Sequence, residues 1–94
     1  MLYLALLWHQ HQPVYKDPSH PTPAGSHRQP WVRLHAIRDY YTMADLVAGH
    51  PNLHLTINLT PSLIWQIEDQ VERGATDRAR ELTAKPAEDL DDAE

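Results

Sequence analysis

The chain has no cysteine, which excludes both a disulfide framework and a thiolate metal site. It also has no apolar run of the ~20 residues that a membrane-spanning helix requires. The longest run, Leu2 to Trp8, is far shorter. That run lacks the basic flank and small-residue cleavage site of a signal peptide, so a cytoplasmic location is expected. Positive charge is not in excess either. The formal net charge is -5 with the histidines neutral, which disfavours nucleic acid and anionic membrane as partners. Neither an internal repeat nor an interdomain linker is present. Ninety-four residues make at most one small domain, and the apolar fraction with moderate charge is that of a soluble globular chain.

What is present starts at the N-terminus. The run Leu2-Tyr3-Leu4-Ala5-Leu6-Leu7-Trp8 passes without a break into His9-Gln10-His11-Gln12-Pro13. An unbroken apolar run of this length suits a strand buried on both faces, as in a parallel sheet covered by helices. The polar residues then lie at the strand's C-terminal end, where α/β sheets and barrels place their sites. Side chains alternate along a strand, so His9 and His11 share a face if the extended backbone continues through His11. Pro13 cannot donate a ladder hydrogen bond and stops the strand.

From Gln12 to Gln29, Pro13, Pro18, Pro21 and Pro23 fall among Ser19, Gly25 and Ser26, and no periodicity survives. A loop of this length after a strand's C-terminal end reads as an active-site loop, with His20 and His27 in a mobile stretch. Pro30 suits the first position of a helix, in which Trp31, Leu34, Ile37, Tyr41, Ala44 and Ala48 form an apolar stripe. Gly49 and Pro51 end it. A second strand, Leu53 to Leu59, alternates cleanly. Its Leu53, Leu55, Ile57 and Leu59 belong to the helix side, and His54, Thr56 and Asn58 to the other. Thr60 can cap the next helix with Pro61 in its first turn. There Leu63, Ile64, Ile67 and Val71 are the expected buried stripe, while Gln66, Glu68, Asp69 and Glu72 face water. Gly74 closes this helix, Thr76 is the expected cap of a short one through Thr83, and Lys85-Pro86 breaks the pattern again. Ala87 to Glu94 carries several acidic residues and one leucine, like the start of a further segment. The order strand, helix, strand, helix implies parallel strands joined by a right-handed crossover. Two such strands expose most of their apolar faces, so the fold class expected is α/β, the first part of a larger barrel.

The same residues carry a resemblance. Leu6 to Pro13 resembles the first signature of glycoside hydrolase family 57, whose short core is His-Gln-Pro at the end of the first barrel strand. Pro30-Trp31-Val32-Arg33-Leu34-His35 and Asp39-Tyr40-Tyr41 resemble the next block of its amylase and pullulanase branch. Thr56-Ile57-Asn58-Leu59-Thr60-Pro61-Ser62-Leu63 does the same, so that the resemblance covers roughly residues 2 to 90. It implies that residues 1–94 are the N-terminal β-α-β-α portion of an incomplete (β/α)7 catalytic barrel, which needs the rest of that barrel for stability. It also implies an α-glucan-active retaining glycoside hydrolase or transglycosidase, acting on an α-glucan or oligosaccharide through the full-length enzyme. No cofactor and no metal are implied. The family's nucleophilic glutamate and acid/base aspartate follow later strands, and neither signature is in this sequence. This chain is therefore expected to contribute no catalytic residue.

It is expected to contribute sugar recognition. Sugar hydroxyls need donors and acceptors, and neutral histidine and glutamine offer both. The resemblance places the histidines of the first signature at the subsite beside the scissile bond, which maps onto His9 and His11. Gln12 either orients a neighbour or bonds a sugar, and Asn58 belongs near the same strand ends. Trp31 is a candidate stacking platform, although its helix position favours packing. Arg33 and His35 can reach the barrel mouth from the helix's first turn. Trp8 and Trp65 read as packing, and His50 and His54 carry no usable signal. Two alternatives stand beside this one. His-x-His at the end of a first strand also opens metal-dependent hydrolase barrels, and a small carbohydrate-binding module is the non-enzymatic reading.

Overall fold

A long connection that passes through a helix allows the crossover that two strands running the same way require. In the structure, a computed structural model that describes residues 1–17, 19 and 26–91, the two strands run the same way. The elements in order are β1 (Leu7–Gln10), α1 (Trp31–His35), a π turn (Ala36–Tyr40), α2 (Tyr41–Ala48), β2 (Thr56–Leu59), α3 (Pro61–Glu72), α4 (Arg78–Ala84) and a 3-10 turn (Ala87–Asp89). β1 and β2 are parallel, with Leu7 opposite Thr56, Trp8 opposite Ile57, His9 opposite Asn58 and Gln10 opposite Leu59. Among the described residues no helix is long and apolar enough to cross a membrane.

The strands are shorter than their apolar patterns suggested, and β1 is not buried on both faces. Leu2 is 95% exposed, and Tyr3 and Leu4 are nearly as open. The reason is local. The ladder can start only where both chains are extended, and β2 begins at Thr56, so the backbone before Leu6 has no strand beside it among the described residues. The molecule as a whole is open. Its accessible surface is 7073 Å², against about 5,500 Å² expected for a folded monomer of this mass. Its radius of gyration is 17.3 Å, against about 12 Å for a compact domain.

The expected stripe of the first helix is displaced. Trp31, Leu34, Ile37 and Tyr41 are exposed, while Val32 is buried and Ala36, Tyr40, Met43 and Val47 are partly covered. A π turn takes an extra residue into one turn. Trp31 and Leu34 precede it and are open because α1 turns Val32 toward α3. From the turn onward a stripe counted at 3.6 residues per turn falls out of register, and Ala36 and Tyr40 continue the Val32 side. Pro30 stands at the N-cap, one place before its expected position. Gly49 follows α2 in right-handed geometry.

On α3 the carbonyl of Thr60 accepts from the amides of Leu63 and Ile64 at 3.0 and 3.1 Å. Its hydroxyl pairs with the Ser62 hydroxyl instead of capping. Gly74, at φ 69°, ends the run in left-handed geometry that a side chain would strain. Asp77, not Thr76, caps α4, accepting from the Arg80 amide at 2.8 Å. The Thr76 hydroxyl donates to Glu81.

Among the described residues the buried apolar ones are Val32 of α1, Leu63 of α3 and Ala75 just after α3, at the place where α1 packs on α3. Around them lies a larger buried polar set, which corrects the expectation that Gln66 and Asp69 face water. Ser62, Gln66, Asp69 and Arg73 follow one another at steps of four, three and four and form one face of α3. That face holds the chain leaving β1. Ser62 donates to the Gln12 carbonyl at 3.1 Å. The Gln66 amide donates to the Pro13 carbonyl at 2.8 Å and accepts from the Tyr15 amide at 2.8 Å. Asp69 accepts from Lys16 at 2.6 Å, His27 at 3.0 Å and Arg73 at 2.8 Å. Backbone groups that a sheet would have paired are satisfied by these side chains, because a buried backbone needs partners. Val71, expected on the buried stripe, is 78% exposed.

The two described ends of the long loop are joined. Lys16 bridges His27, and His27 bridges Asp77. His27 is fully buried rather than mobile. His20 and the loop's Pro18, Pro21, Pro23 and Gly25 lie outside the described residues, as does the end of the acidic C-terminal stretch.

Candidate functional site

β1 and β2 end side by side, and their register places His9 opposite Asn58 on the same face. Nδ1–H of His9 donates to Oδ1 of Asn58 at 2.6 Å. Because a carboxamide oxygen only accepts, that bond assigns the shared proton to Nδ1 and leaves Nε2 for a ligand. His11 lies against His9 with ring centroids 6.0 Å apart and planes 8° from parallel. All three side chains are exposed, so an acceptor nitrogen and two imidazole faces are open to a ligand at the C-terminal end of the sheet. On the opposite face, Gln10 is buried and reaches toward Met43 of α2. The helix layer is therefore behind the histidines.

The remaining predicted residues divide into two sets. Gln12, Tyr40, His35 and Trp31 form one contiguous line. The Gln12 amide donates to the Tyr40 hydroxyl at 2.9 Å and accepts from the Tyr15 hydroxyl at 3.1 Å. The rings of Tyr40 and His35 are 6.2 Å apart, and those of His35 and Trp31 are 6.1 Å apart. His35 donates through Nδ1–H to Asp39, which also accepts from Arg38. Trp31 is 45% exposed rather than packed. With Leu34, His35, Ile37, Arg38 and Asp39 it borders a concavity of about 210 Å³. Arg33 is elsewhere, clamped to Asp77 through Nε at 2.5 Å and a second nitrogen at 3.1 Å. Trp65, expected as packing, is half-exposed, with the Lys16 ammonium 6.0 Å from its ring centre.

Hydrolysis of a glycosidic bond with retention takes two carboxyl groups about 5 to 5.5 Å apart, the acid among them raised in pKa. Asp17, Asp39, Asp69 and Asp77 all move the other way. The Ser19 hydroxyl and the Arg28 guanidinium hold Asp17 below the usual carboxylate range. The His35 and Arg38 hydrogen bonds lower Asp39. Burial alone would raise Asp69, but the Lys16, Arg73 and His27 hydrogen bonds outweigh it and bring it to about 2. Burial likewise opposes, and Arg33 with the Arg80 amide overcomes it, at Asp77. Each is a carboxylate held ionised by cations or donors, suited to anchoring chain and unsuited to giving up a proton near neutrality. Among the described residues no three His, Cys, Asp or Glu side chains converge as a metal-ligand set.

The family model for Glycosyl hydrolase family 57 matches residues 5–89. The chain belongs to glycoside hydrolase family 57. The matched span contains His9, His11 and Asn58 at the strand ends and the Gln12 to Trp31 line, and membership makes carbohydrate the substrate class. No curated protein matches the chain, and no solved structure does. Sequence reasoning passed over Tyr15 and the buried His27, Asp69 and Asp77 of this family 57 chain. The polar stripe Ser62, Gln66, Asp69 and Arg73, at helical spacing, was the one signal that could have revealed the face of α3 that binds the loop.

Proposed function

We propose that residues 1–94 are the N-terminal part of the catalytic barrel of an α-glucan-active retaining glycoside hydrolase or transglycosidase. In this reading they supply sugar-binding groups, and the two catalytic carboxylates come from later strands. The observation that carries it is the pair at the sheet's C-terminal end. His9 is held by Asn58 with its Nε2 turned free, and His11 is stacked on it. His9 Nε2 accepts from a sugar hydroxyl, His11 donates or accepts beside it, and Asn58 keeps the His9 ring in place. Trp31 and His35 offer a stacking surface farther along the same glucan. Arg33, committed to Asp77, serves the fold.

The test uses the intact protein, with α-glucan oligosaccharides as substrate. His11→Ala should weaken substrate use by about 1 to 3 kcal/mol, the cost of leaving a polar partner unpaired. Activity should survive chelation and dialysis. The metal-hydrolase reading draws on the same His9 to Asn58 bond, since a ligating histidine also gives its other N–H to an oxygen. Activity lost with EDTA and restored by zinc or manganese would favour that reading. Unchanged kinetics in His11→Ala would remove the histidine from the site.

A further inference from the structure

The side chain of Gln12 directly follows the two exposed histidines, yet it points into the protein's own hydrogen-bond network. Tyr40 meets one end of its amide at 2.9 Å and Tyr15 the other at 3.1 Å. A phenol both donates and accepts, so either orientation of the amide finds a partner at each end. Three other bonds hold the backbone around it: Ser62 to the Gln12 carbonyl, and Gln66 to the Pro13 carbonyl and the Tyr15 amide. Tyr40 closes the π turn, and that turn brings it into line with Val32 and Ala36, toward the strand end and away from the outer helix face. Insertions of this kind recur at functional sites.

We infer that Gln12 is a positioning residue, clamped between Tyr15 and Tyr40, that fixes the chain after β1 and thereby the direction of the His11 ring. Two separate parts of the chain, the start of the long loop and the π turn, meet on one amide. The clamp also ties His11 to the Tyr40, His35 and Trp31 line, so that the strand-end subsite and the aromatic surface keep a constant separation. A sugar occupying the site touches His9 and His11 and leaves the Gln12 amide bonded to its tyrosines.

This role rests on the carbohydrate reading of the site, and the experiment separates the two. In the intact protein, the Gln12 side-chain amide and the His9 and His11 ring resonances are followed by NMR, first without ligand and then with maltohexaose. Without ligand, Tyr40→Phe should move the Gln12 amide and the His11 ring together. Gln12→Glu, which still accepts from both phenols, should keep the His11 ring near its native position where Gln12→Ala does not. With maltohexaose, the histidine resonances should move and the Gln12 amide should stay. Tyr40→Phe should weaken binding roughly fivefold, the worth of one hydrogen bond. A Gln12 amide that moves with the sugar as far as the histidines do would overturn the positioning role, as would a His11 ring indifferent to Tyr40→Phe and Gln12→Ala. If maltohexaose moves no resonance, the carbohydrate reading fails while the ligand-free half still decides the clamp.

Discussion

Two histidines of this chain sit in opposite settings. His9, at the strand end, is exposed, bonded once to a neutral amide and carries a free nitrogen. His27, at the base of the long loop, is fully buried, lies between Lys16 and Asp77 in the backbone bridges, and gives Nε2–H to Asp69 at 3.0 Å. The first region spends few bonds on itself and keeps its polar groups available. The second consumes Asp69, Asp77, Lys16, Arg33 and Arg73 in mutual contacts. The contrast separates the part of the molecule that leaves polar groups open, where we propose a ligand, from the part that holds the long loop's ends. Residue type alone would not distinguish them.

The largest test asks whether the chain, strand end and loop base together, makes a domain on its own. Its apolar core is Val32, Leu63 and Ala75, while Leu2, Tyr3, Leu4 and Leu7 stand open on β1 and ahead of it. Ordering a residue costs about 1 to 2 kcal/mol of conformational entropy, which so small a core offsets poorly. Residues 1–94 produced alone are therefore expected to self-associate or to lose their fold without a sharp transition. Light scattering and thermal circular dichroism measure both. A monomer with a cooperative melt would show that the polar network suffices without further partners.

A smaller effect separates the two regions directly. Asp69→Ala removes the shared acceptor of Lys16, His27 and Arg73. Taking one partner from a buried ion pair costs about 3 to 5 kcal/mol. The lower end applies here, because the Lys16 side chain keeps about a fifth of its exposure. His9→Ala, at an exposed position, should leave stability within about 0.5 kcal/mol. Denaturant unfolding of the intact protein is the measurement. Equal losses in both variants would erase the distinction.

Much of this was open to reading from the chain itself, for reasons that are local. Period-two alternation placed Asn58 on a side of β2 near the strand-one histidines, and Pro61 and Gly74 marked both ends of α3. Burial of Asp69 was not open in the same way. Its partners Lys16 and His27 lie 53 and 42 residues away in sequence, and a carboxylate on a polar helix face usually faces water. The displacement of the stripe from Ile37 to Tyr41 had another cause. A π turn leaves no reliable mark in residue spacing, yet it rotates everything after it. Gln12 showed its position but not its direction, which depends on Tyr40 from that turn.

Acid gives the smallest of these effects and the finest view of the contrast. The Asp69 carboxyl titrates near 2 in the folded chain, below its ordinary 3.8, and Asp17 and Asp77 are lowered as well. A carboxyl that holds its proton more weakly when folded adds stability wherever it is ionised in both states. That contribution is complete above the unfolded value, so at pH 5 to 7 it should be level. It should decline as pH falls from about 4 toward 2 and be absent below. For Asp69 the shift is worth on the order of 2 kcal/mol, less than deletion, because a protonated carboxyl still fills its space and keeps some hydrogen bonds. The readout is hydrogen exchange at the amides of Asp17, His27 and Arg78, which bond across the loop base to Ser26, Thr76 and His27. Their protection should fall between pH 4 and 2, after correction for intrinsic exchange, before that of the Thr56 amide in the sheet. Thr56 bonds to the Leu6 carbonyl and depends on none of these carboxylates. In Asp69→Asn the acid-dependent part of the difference should shrink. Loss of protection at both places at the same pH would mean that loop base and strand pair open as one unit, and that the division between anchor and site is not a division in stability.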